Sequence, residues 1–134
     1  KNRKSVERKK KNLNQTCLFF FVISTIDVEP GTSWVKINYR NYGYYRVNYD
    51  ADAWSLFSST LNSNPHIFNA ADRASLLNDA FSLAKAVSHL SYSVPLNLCK
   101  YIKSENHSVP IAVVLDKFKD IKDLLREHPI LMNF

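Results

Sequence analysis

Hydrophobic and polar residues alternate along residues 34 to 49, on both sides of a turn-forming sequence. The apolar members are Val35, Ile37 and Tyr39 before the turn Asn41-Tyr42-Gly43, and Tyr45, Val47 and Tyr49 after it. A two-residue period is typical of a half-buried strand, so the pattern predicts a β-hairpin over residues 34 to 49. A hairpin alone is only marginally stable in water, and residues 18 to 28 supply one further predicted strand.

Beyond residue 50 the apolar residues recur at three- and four-residue spacing, which predicts helices. A first helix is predicted over residues 51 to 62, with Trp54, Phe57 and Leu61 on one face. A second is predicted from an N-cap at Asn69 to about residue 88. Its apolar residues occupy a wide arc, so we expect neighbours on two sides.

Two further helices are predicted, from about residue 93 to 104 and from about residue 109 to 127. The last one carries an apolar face and a charged face. Its apolar face consists of Ile111, Val114, Leu115, Phe118, Ile121 and Leu125. Four helices with short connections predict helical hairpins stacked as in an α-solenoid. The fold class is therefore α+β, and the uncovered faces of both the hairpin and the stack indicate a piece of a larger protein.

The charge of the chain is concentrated at one end. Residues 1 to 11 hold seven of the 18 Lys and Arg residues and one acid, so they carry the whole net charge of +6. Such a tail is typical of a solvated arm, and nucleic acid or an acidic membrane face is the alternative ligand. The apolar run from Cys17 to Ile23 is too short to span a bilayer, which leaves a buried strand or a short signal sequence.

Most catalytic signatures are absent from the sequence. It has no His-Glu-x-x-His, only two glycines for a phosphate loop, and no Gly-x-Ser-x-Gly turn. Its two cysteines, Cys17 and Cys99, form no metal-binding spacing and leave the redox compartment open. An RNA-binding strand is an alternative for residues 43 to 49, but Arg46 occupies a position where an aromatic residue is expected.

Three segments resemble sequence motifs of the zinc aminopeptidases of the aminopeptidase N type, the gluzincins, and occur in the same order along the chain. They are Trp34-Val35-Lys36-Ile37-Asn38, Gly43-Tyr44-Tyr45-Arg46-Val47-Asn48-Tyr49-Asp50, and the stretch from Asp72-Arg73-Ala74 to Asp79-Ala80-Phe81. The similarity continues through residues 96 to 105 and Val109-Pro110, which makes about 100 residues in all. Residues 1 to 24 do not resemble the family, and Ile111 stands where the family commonly has Trp.

The resemblance implies a domain organisation. Residues 25 to 50 correspond to the last strands of a β-sandwich domain, and residues 51 to 134 to the start of the helical C-terminal domain. The motif residues with an expected structural or interdomain role are Trp34, Lys36, Asn38, Gly43, Tyr45, Arg46, Asn48, Tyr49, Asp50, Asp72, Arg73 and Asp79. For Arg46 two alternatives stay open: it faces water, or it binds a carboxylate or helix-end carbonyls beside the first helices.

The resemblance also implies the activity of the intact enzyme, which removes N-terminal amino acids from peptides with a zinc-activated water. No catalytic residue, zinc ligand or Gly-x-Met-Glu-Asn loop of the family maps onto this chain, so no cofactor is expected in it. The expected partners are the missing catalytic domain of the same polypeptide, the peptide substrate and a second copy in a homodimer. The expected location is the plasma membrane or the extracellular space. The alternatives are a non-catalytic helical interaction module and, third, a basic nucleic-acid-binding protein.

Overall fold

The computed structural model describes residues 12–17, 22–27, 31–32, 34–86 and 90–126 of the 134-residue chain. This part of the chain is mostly helical. The basic residues 1 to 11 and the chain after residue 126 lie outside the described residues, so the prediction of a solvated tail stays a prediction.

Helix α1 (Ala51–Ser63) and helix α2 (Ala70–Lys85) begin at side chains that cap their first turns. Asp50 accepts a hydrogen bond from the backbone N–H of Ala53 at 2.7 Å, and Asn69 accepts one from Asp72 at 2.9 Å. These bonds satisfy N–H groups that have no partner within the helix. The predicted N-cap at Asn69 is therefore confirmed, and α2 ends three residues before the predicted end, at Lys85.

Helix α3 (Ser93–Leu98) continues into a 3₁₀ segment, Cys99–Ser104, and helix α4 covers Ser108–Arg126. The predicted start and end of the third helix are confirmed, although its second half is wound more tightly than an α-helix. Both prolines, Pro95 and Pro110, lie in the first turn of their helices, where a missing N–H costs nothing.

The predicted apolar face of α4 is buried only in part. Val114 is buried, whereas Leu115 is 66% exposed and Phe118 and Leu125 are also exposed. The reason is that α4 packs mainly on α2, and one neighbour covers a narrow arc of a helix. Helix α2, by contrast, has neighbours on several sides, as its wide apolar arc predicted.

The sheet has three strands, β1 (Asn12–Cys17), β2 (Val22–Asp27) and β3 (Val47–Asn48), in the order β2-β1-β3. Both pairings are antiparallel, with Asn12 opposite Asp27 and Cys17 opposite both Val22 and Val47. β2 confirms the strand predicted within residues 18 to 28. β1 was not predicted, because its sequence is mostly polar and has no clear alternation.

The predicted hairpin over residues 34 to 49 is wrong. Residues 34 to 36 form no strand, residues Tyr39–Asn41 form a 3₁₀ turn, and β3 pairs with β1 instead. The backbone turns away because Asn38, Arg40 and Asn41 have φ values of 59°, 53° and 58°. Residues in the left-handed region of backbone conformation cannot continue a strand, and Asn is among the residues that tolerate that region best.

The core lies between α1, α2, α3 and the segment 34–50. Its aromatic centre joins Tyr49 to Phe57, with ring centroids 4.9 Å apart, and Trp34 to Phe68, with centroids 4.7 Å apart. Edge-to-face and tilted packing of this kind adds to the energy gained from burying the rings. The other large, fully buried members are Trp54, Leu61, Leu76, Leu77, Leu83, Leu98 and Tyr101.

Candidate functional site

The candidate site is the junction, defined here as segment 34–50 together with the faces of α1 and α2 that it covers. Eleven of the twelve residues predicted from the family-like motifs lie in or against this junction, and the twelfth, Arg73, binds groups outside it. Nine belong to the segment 34–50 itself and three belong to α2. Because the two groups are separated by more than 20 residues along the chain, the fold must bring them together.

Asp72 gathers three groups at the start of α2. The Lys36 ammonium lies 2.9 Å from its Oδ1, and both side chains are almost fully buried. The backbone N–H of Arg40 donates to the same oxygen at 2.8 Å, and the Asn69 side-chain amide donates to Oδ2. Lys36 also donates to the carbonyl of Asn38 at 3.2 Å. Because the Lys36–Asp72 pair is buried and both carboxylate oxygens of Asp72 are hydrogen-bonded, the pair fixes the position of segment 34–40 on the N-terminus of α2.

Asn38 holds the turn closed with its side chain. Its Nδ2 donates to the carbonyl of Gly43 at 2.9 Å and its Oδ1 accepts the N–H of Gly43 at 2.7 Å. These bonds replace the ladder that a hairpin would make, which explains why Asn38 is buried. A Cβ at Gly43 would lie 2.1 Å from the ring of Tyr45, so a larger residue there would force that ring to move.

Arg46 and Asp79 connect the end of the segment to the middle of α2. Arg46 Nη1 donates to Asp79 Oδ1 at 3.2 Å and to the Asn78 carbonyl at 3.4 Å. The backbone N–H of Val47 donates to the other carboxylate oxygen at 3.2 Å. The Arg46 side chain is 41% exposed and that of Asp79 is 12% exposed. The structure therefore combines the two alternatives for Arg46: it binds a carboxylate while half of it stays in water.

The last three motif residues of the segment fix its end by hydrogen bonds, Asn48 and Asp50 to α1 and Tyr49 within the segment. Asn48 Oδ1 accepts the indole N–H of Trp54 at 3.0 Å. The buried Tyr49 hydroxyl accepts the N–H of Ile37 at 3.1 Å, and Asp50 caps α1. Burial raises the pKa of Tyr49 well above its usual range, so the hydroxyl stays neutral.

Arg73 has a partner that the motif comparison did not single out. Its Nε and Nη2 donate to the two carboxylate oxygens of Glu105, at 2.7 Å and 2.8 Å. Its Nη1 donates to the carbonyl of Phe68 at 2.6 Å. Glu105 belongs to the family-like stretch 96–105. The sequence signal that could have identified it is Arg73, because a cation on the apolar face of a helix needs a buried carboxylate as its partner.

The ionisation of Asp79 and that of Glu105 differ because their surroundings differ. Burial raises the pKa of Asp79, and the Val47 N–H and Arg46 only partly oppose this. Burial acts in the same direction on Glu105, but hydrogen bonds from Arg73 and from the N–H of His107 outweigh it and hold its pKa at about 2. Glu105 is therefore a structural carboxylate at every physiological pH.

An open pocket of about 520 Å³ lies beside the junction. It is lined by Asn41, Gly43 and residues 44–46 from the turn, and by Asn78 and Asp79 from α2. We call residues 39–45 the tyrosine turn, because Tyr39, Tyr42, Tyr44 and Tyr45 are all exposed there, and we call this cavity the turn pocket.

Neither a metal-binding cluster nor a reactive thiol is found among the described side chains. Within the described ranges, no three His, Cys, Asp or Glu side chains lie close enough together to hold a metal ion. Burial raises the pKa of the Cys99 thiol to about 11, which removes the thiolate that nucleophilic chemistry needs. What the junction does physically is to fix the position of the segment 34–50 on α1 and α2.

A family model for the ERAP1-like C-terminal domain matches residues 34–134. The chain belongs to this family. The match begins at Trp34, so the junction segment and the helices lie within one matched region of an ERAP1-like C-terminal domain. It confirms the resemblance to aminopeptidases that the motifs indicated.

Several aminopeptidases are similar to this ERAP1-like chain. Human glutamyl aminopeptidase is 41% identical over 111 residues, which is 78% of this chain and 11% of that protein. Glutamyl aminopeptidase of Bitis rhinoceros is 35% identical over 102 residues, 71% of this chain and 11% of that protein. Aminopeptidase N of Plutella xylostella is 32% identical over 104 residues, 75% of this chain and 11% of that protein. The chain thus spans about a tenth of the length of these relatives.

No helix in the described part of the ERAP1-like chain is long and apolar enough to cross a bilayer.

Proposed function

We propose that this chain is the non-catalytic C-terminal region of a zinc metallo-aminopeptidase that removes N-terminal amino acids from peptides. In this proposal residues 25–50 are the end of a β-sandwich domain, and residues 51–134 begin a solenoid-like helical domain that covers the active-site cleft and contributes to peptide binding. The observation that supports it is the junction, where the charged motif residues Lys36, Arg46, Asp50, Asp72 and Asp79 hold the segment 34–50 against the helices.

The chemistry of the intact enzyme belongs, in this proposal, to a catalytic domain elsewhere in the same polypeptide. Zinc bound there supplies the activated water, and the described residues of this chain do not form a set of ligands that fits the metal. The relatives are named aminopeptidases, and each is about nine times longer than the stretch that matches. A plasma-membrane or extracellular location and a homodimer are part of the same proposal.

A covering role requires a rigid connection between the helical domain and the rest of the enzyme. A domain that limits access to a cleft must keep a fixed angle to the part that holds the cleft. The buried Lys36–Asp72 pair joins the segment 34–50 to α2, whereas the buried Arg73–Glu105 pair lies within the helical part and makes that part rigid. Removing one partner of such a pair costs about 3–5 kcal/mol, enough to loosen the angle.

A chimera tests this role directly. The matching stretch of human glutamyl aminopeptidase is replaced by residues 34–126 of this chain, with and without Lys36→Met at the junction. We expect the chimera to release N-terminal residues, and we expect Lys36→Met to change kcat/KM for peptides of about nine residues far more than for a small aminoacyl anilide. The reason is that only a long peptide reaches the covering domain.

The control in the same chimera is Lys100→Gln, an exposed residue outside the junction. It should leave both substrates unaffected. If Lys36→Met lowers the two kcat/KM values by the same factor, the junction supports the chemistry or the stability of the enzyme and the covering role is wrong. If the chimera folds but cleaves nothing, the assignment of this chain to the enzyme's C-terminal region fails.

The exposed side of α4 favours a second candidate function, that of a non-catalytic helical interaction module. Leu115, Phe118 and Leu125 form an apolar stripe that no described residue fully covers. Apolar side chains at this spacing are typical of a helix that packs against another helix. Binding of a separate protein to this stripe, measured with the present chain alone and without a catalytic domain, would favour this function over the first.

A further inference from the structure

The sequence contains two Asn-x-Ser/Thr sequons, the acceptor motif for N-linked glycosylation of secreted proteins. They are Asn14-Gln15-Thr16 and Asn106-His107-Ser108. An N-linked glycan is bulky and hydrated, so it needs an Asn side chain that the fold leaves in water. The positions of the two sequons in the structure therefore distinguish between them.

The first sequon lies inside strand β1. Asn14 is opposite Thr25 of β2, and Thr16 also pairs with Asn48 of β3. The backbone of this sequon is therefore paired within the sheet. Because acceptor sequons lie in surface loops, the first sequon does not have the local structure of an acceptor.

The second sequon lies in the connection between the 3₁₀ segment 99–104 and α4. Residues 105 to 107 belong to no helix or strand, and Ser108 is the first residue of α4. Asn106, His107 and Ser108 are all exposed. The side-chain amide of Asn106 forms no hydrogen bond with any described residue. The two residues on which the sequon depends, Asn106 and Ser108, are therefore both open to solvent.

The backbone of this connection is held by contacts that do not involve the Asn106 side chain. Glu105 Oε1 accepts the N–H groups of Asn106, at 3.0 Å, and of His107, at 2.9 Å. The same carboxylate pairs with the buried guanidinium of Arg73. A substituent on Asn106 Nδ2 breaks none of these contacts, so the folded chain can carry a glycan at this position.

The surface around Asn106 has the composition of a face that stays in water. Residues 103 to 108 are all polar, and all of them except Glu105 are exposed. Of the exposed apolar side chains on α4, Val109 adjoins this loop, whereas Leu115 and Phe118 lie about two turns or more further along the helix. The rest of a longer helical domain gains most by covering that apolar part of α4, which leaves the polar connection in solvent.

We propose that Asn106 carries an N-linked glycan when this chain passes through the secretory pathway. The inference rests on the plasma-membrane or extracellular location that is part of the proposed function. In the transfer, Asn106 Nδ2 forms a bond to C1 of the first sugar of a lipid-pyrophosphate-linked oligosaccharide. The bond between that C1 and the pyrophosphate oxygen breaks, the amide loses one proton, and the lipid pyrophosphate is the leaving group.

The test uses the full 134-residue chain, joined to a cleavable signal sequence and secreted from cultured animal cells. Peptide N-glycosidase F converts a glycosylated Asn to Asp, so the mass of the tryptic peptide 104–117 reports modification of Asn106. We expect this conversion in the wild type. Asn106→Gln and Ser108→Ala should abolish it. Ser108→Thr keeps the hydroxyl that the sequon requires, and Asn14→Gln removes the other sequon, so both variants should keep the modification at Asn106.

An unmodified Asn106 in the secreted chain would overturn the proposal, and so would modification of Asn14 alone. Conversion of Asn106 that persists in Ser108→Ala would also overturn it, because the sequon would then not be the feature that is recognised. The same chain made without the signal sequence is the control and should stay unmodified. If the secreted chain is modified but Asn106 is unmodified in the protein isolated from its own cells, the acceptor site stands and the location in the proposed function is wrong.

Discussion

Arg73 on α2 forms a bidentate ion pair with Glu105, which follows the 3₁₀ segment 99–104, with nitrogen–oxygen distances of 2.7 Å and 2.8 Å. Both side chains are almost fully buried. The pair joins the second helix to the end of the third, 32 residues away along the chain. The Nη1 group of Arg73 donates to the Phe68 carbonyl, so this guanidinium also fixes the loop between α1 and α2.

We predict that Arg73→Met destabilises the chain by about 3–5 kcal/mol, because it leaves the Glu105 carboxylate buried without its partner. The measurement is urea unfolding followed by the fluorescence of Trp34 and Trp54. The matched control is Lys85→Met, which breaks an exposed pair with Asp120 at 3.5 Å and should cost about 0–1 kcal/mol. Equal losses for the two variants would show that the buried pair contributes no more than a surface one.

The pH dependence of stability provides a separate test of Glu105. Its pKa in the folded chain is about 2, below the ordinary value of 4.5, so the unfolded chain binds more protons between these values. The stabilisation by Glu105 is therefore fully present above about pH 4.5 and is lost as the pH falls towards 2. The difference in free energy of unfolding between the wild type and Glu105→Gln should shrink over this window. A difference that stays constant from pH 6 to pH 2.5 would contradict the pairing.

The helices were largely predictable from sequence because local rules decide them. The N-cap at Asn69, the spacing of Trp54, Phe57 and Leu61, and the proline in the first turn of α4 act within one or two turns of helix. The exposure of Leu115 was not predictable, because periodicity shows which face is apolar and cannot show whether a neighbour covers it.

The hairpin prediction failed because the conformation of residues 34 to 49 depends on contacts with residues that are distant along the chain. Residues 34 to 40 alternate as a strand does, but the ammonium of Lys36 reaches a carboxylate 36 positions away and is buried with it. That contact, together with the side-chain bonds of Asn38, outweighs the strand propensity of the intervening residues. The motif residues were identified from sequence, whereas their pairing, and the role of Glu105, required the fold.

We predict that the basic residues 1 to 11 account for any general affinity for polyanions. Deleting them lowers the net charge from +6 to 0 and should abolish retention on heparin at about 200 mM salt, because salt-dependent binding scales with the number of phosphate or sulfate contacts. The shortened chain should keep the unfolding midpoint of the full chain. Retention that survives the deletion would mean that a folded surface, and not the tail, binds the polyanion.

The last prediction concerns Arg46 and the half-buried carboxyl of Asp79. Burial raises the pKa of Asp79, so between its ordinary value of 3.8 and the raised value the folded chain holds more protons than the unfolded one. Stability therefore falls as the pH rises through this window. Arg46 opposes the shift, and Arg46→Ala should move the pKa of Asp79 further up and extend the window towards neutral pH.

We therefore expect Arg46→Ala to cost about 1–2 kcal/mol at pH 7, between the values for exposed and buried pairs because 41% of the Arg46 side chain is in water. The cost should be smaller at pH 4 than at pH 7, because Arg46→Ala raises the pKa of Asp79 further and a carboxyl that takes up a proton at lower pH needs no cation. The measurement is thermal unfolding of the full chain at both pH values, with Asp79→Asn as the background control. In that background Arg46→Ala should cost the same at pH 4 and pH 7, since no titrating carboxyl remains opposite it. A pH-dependent cost that persists with Asn at position 79 would show that another group, and not Asp79, is the partner whose charge Arg46 balances.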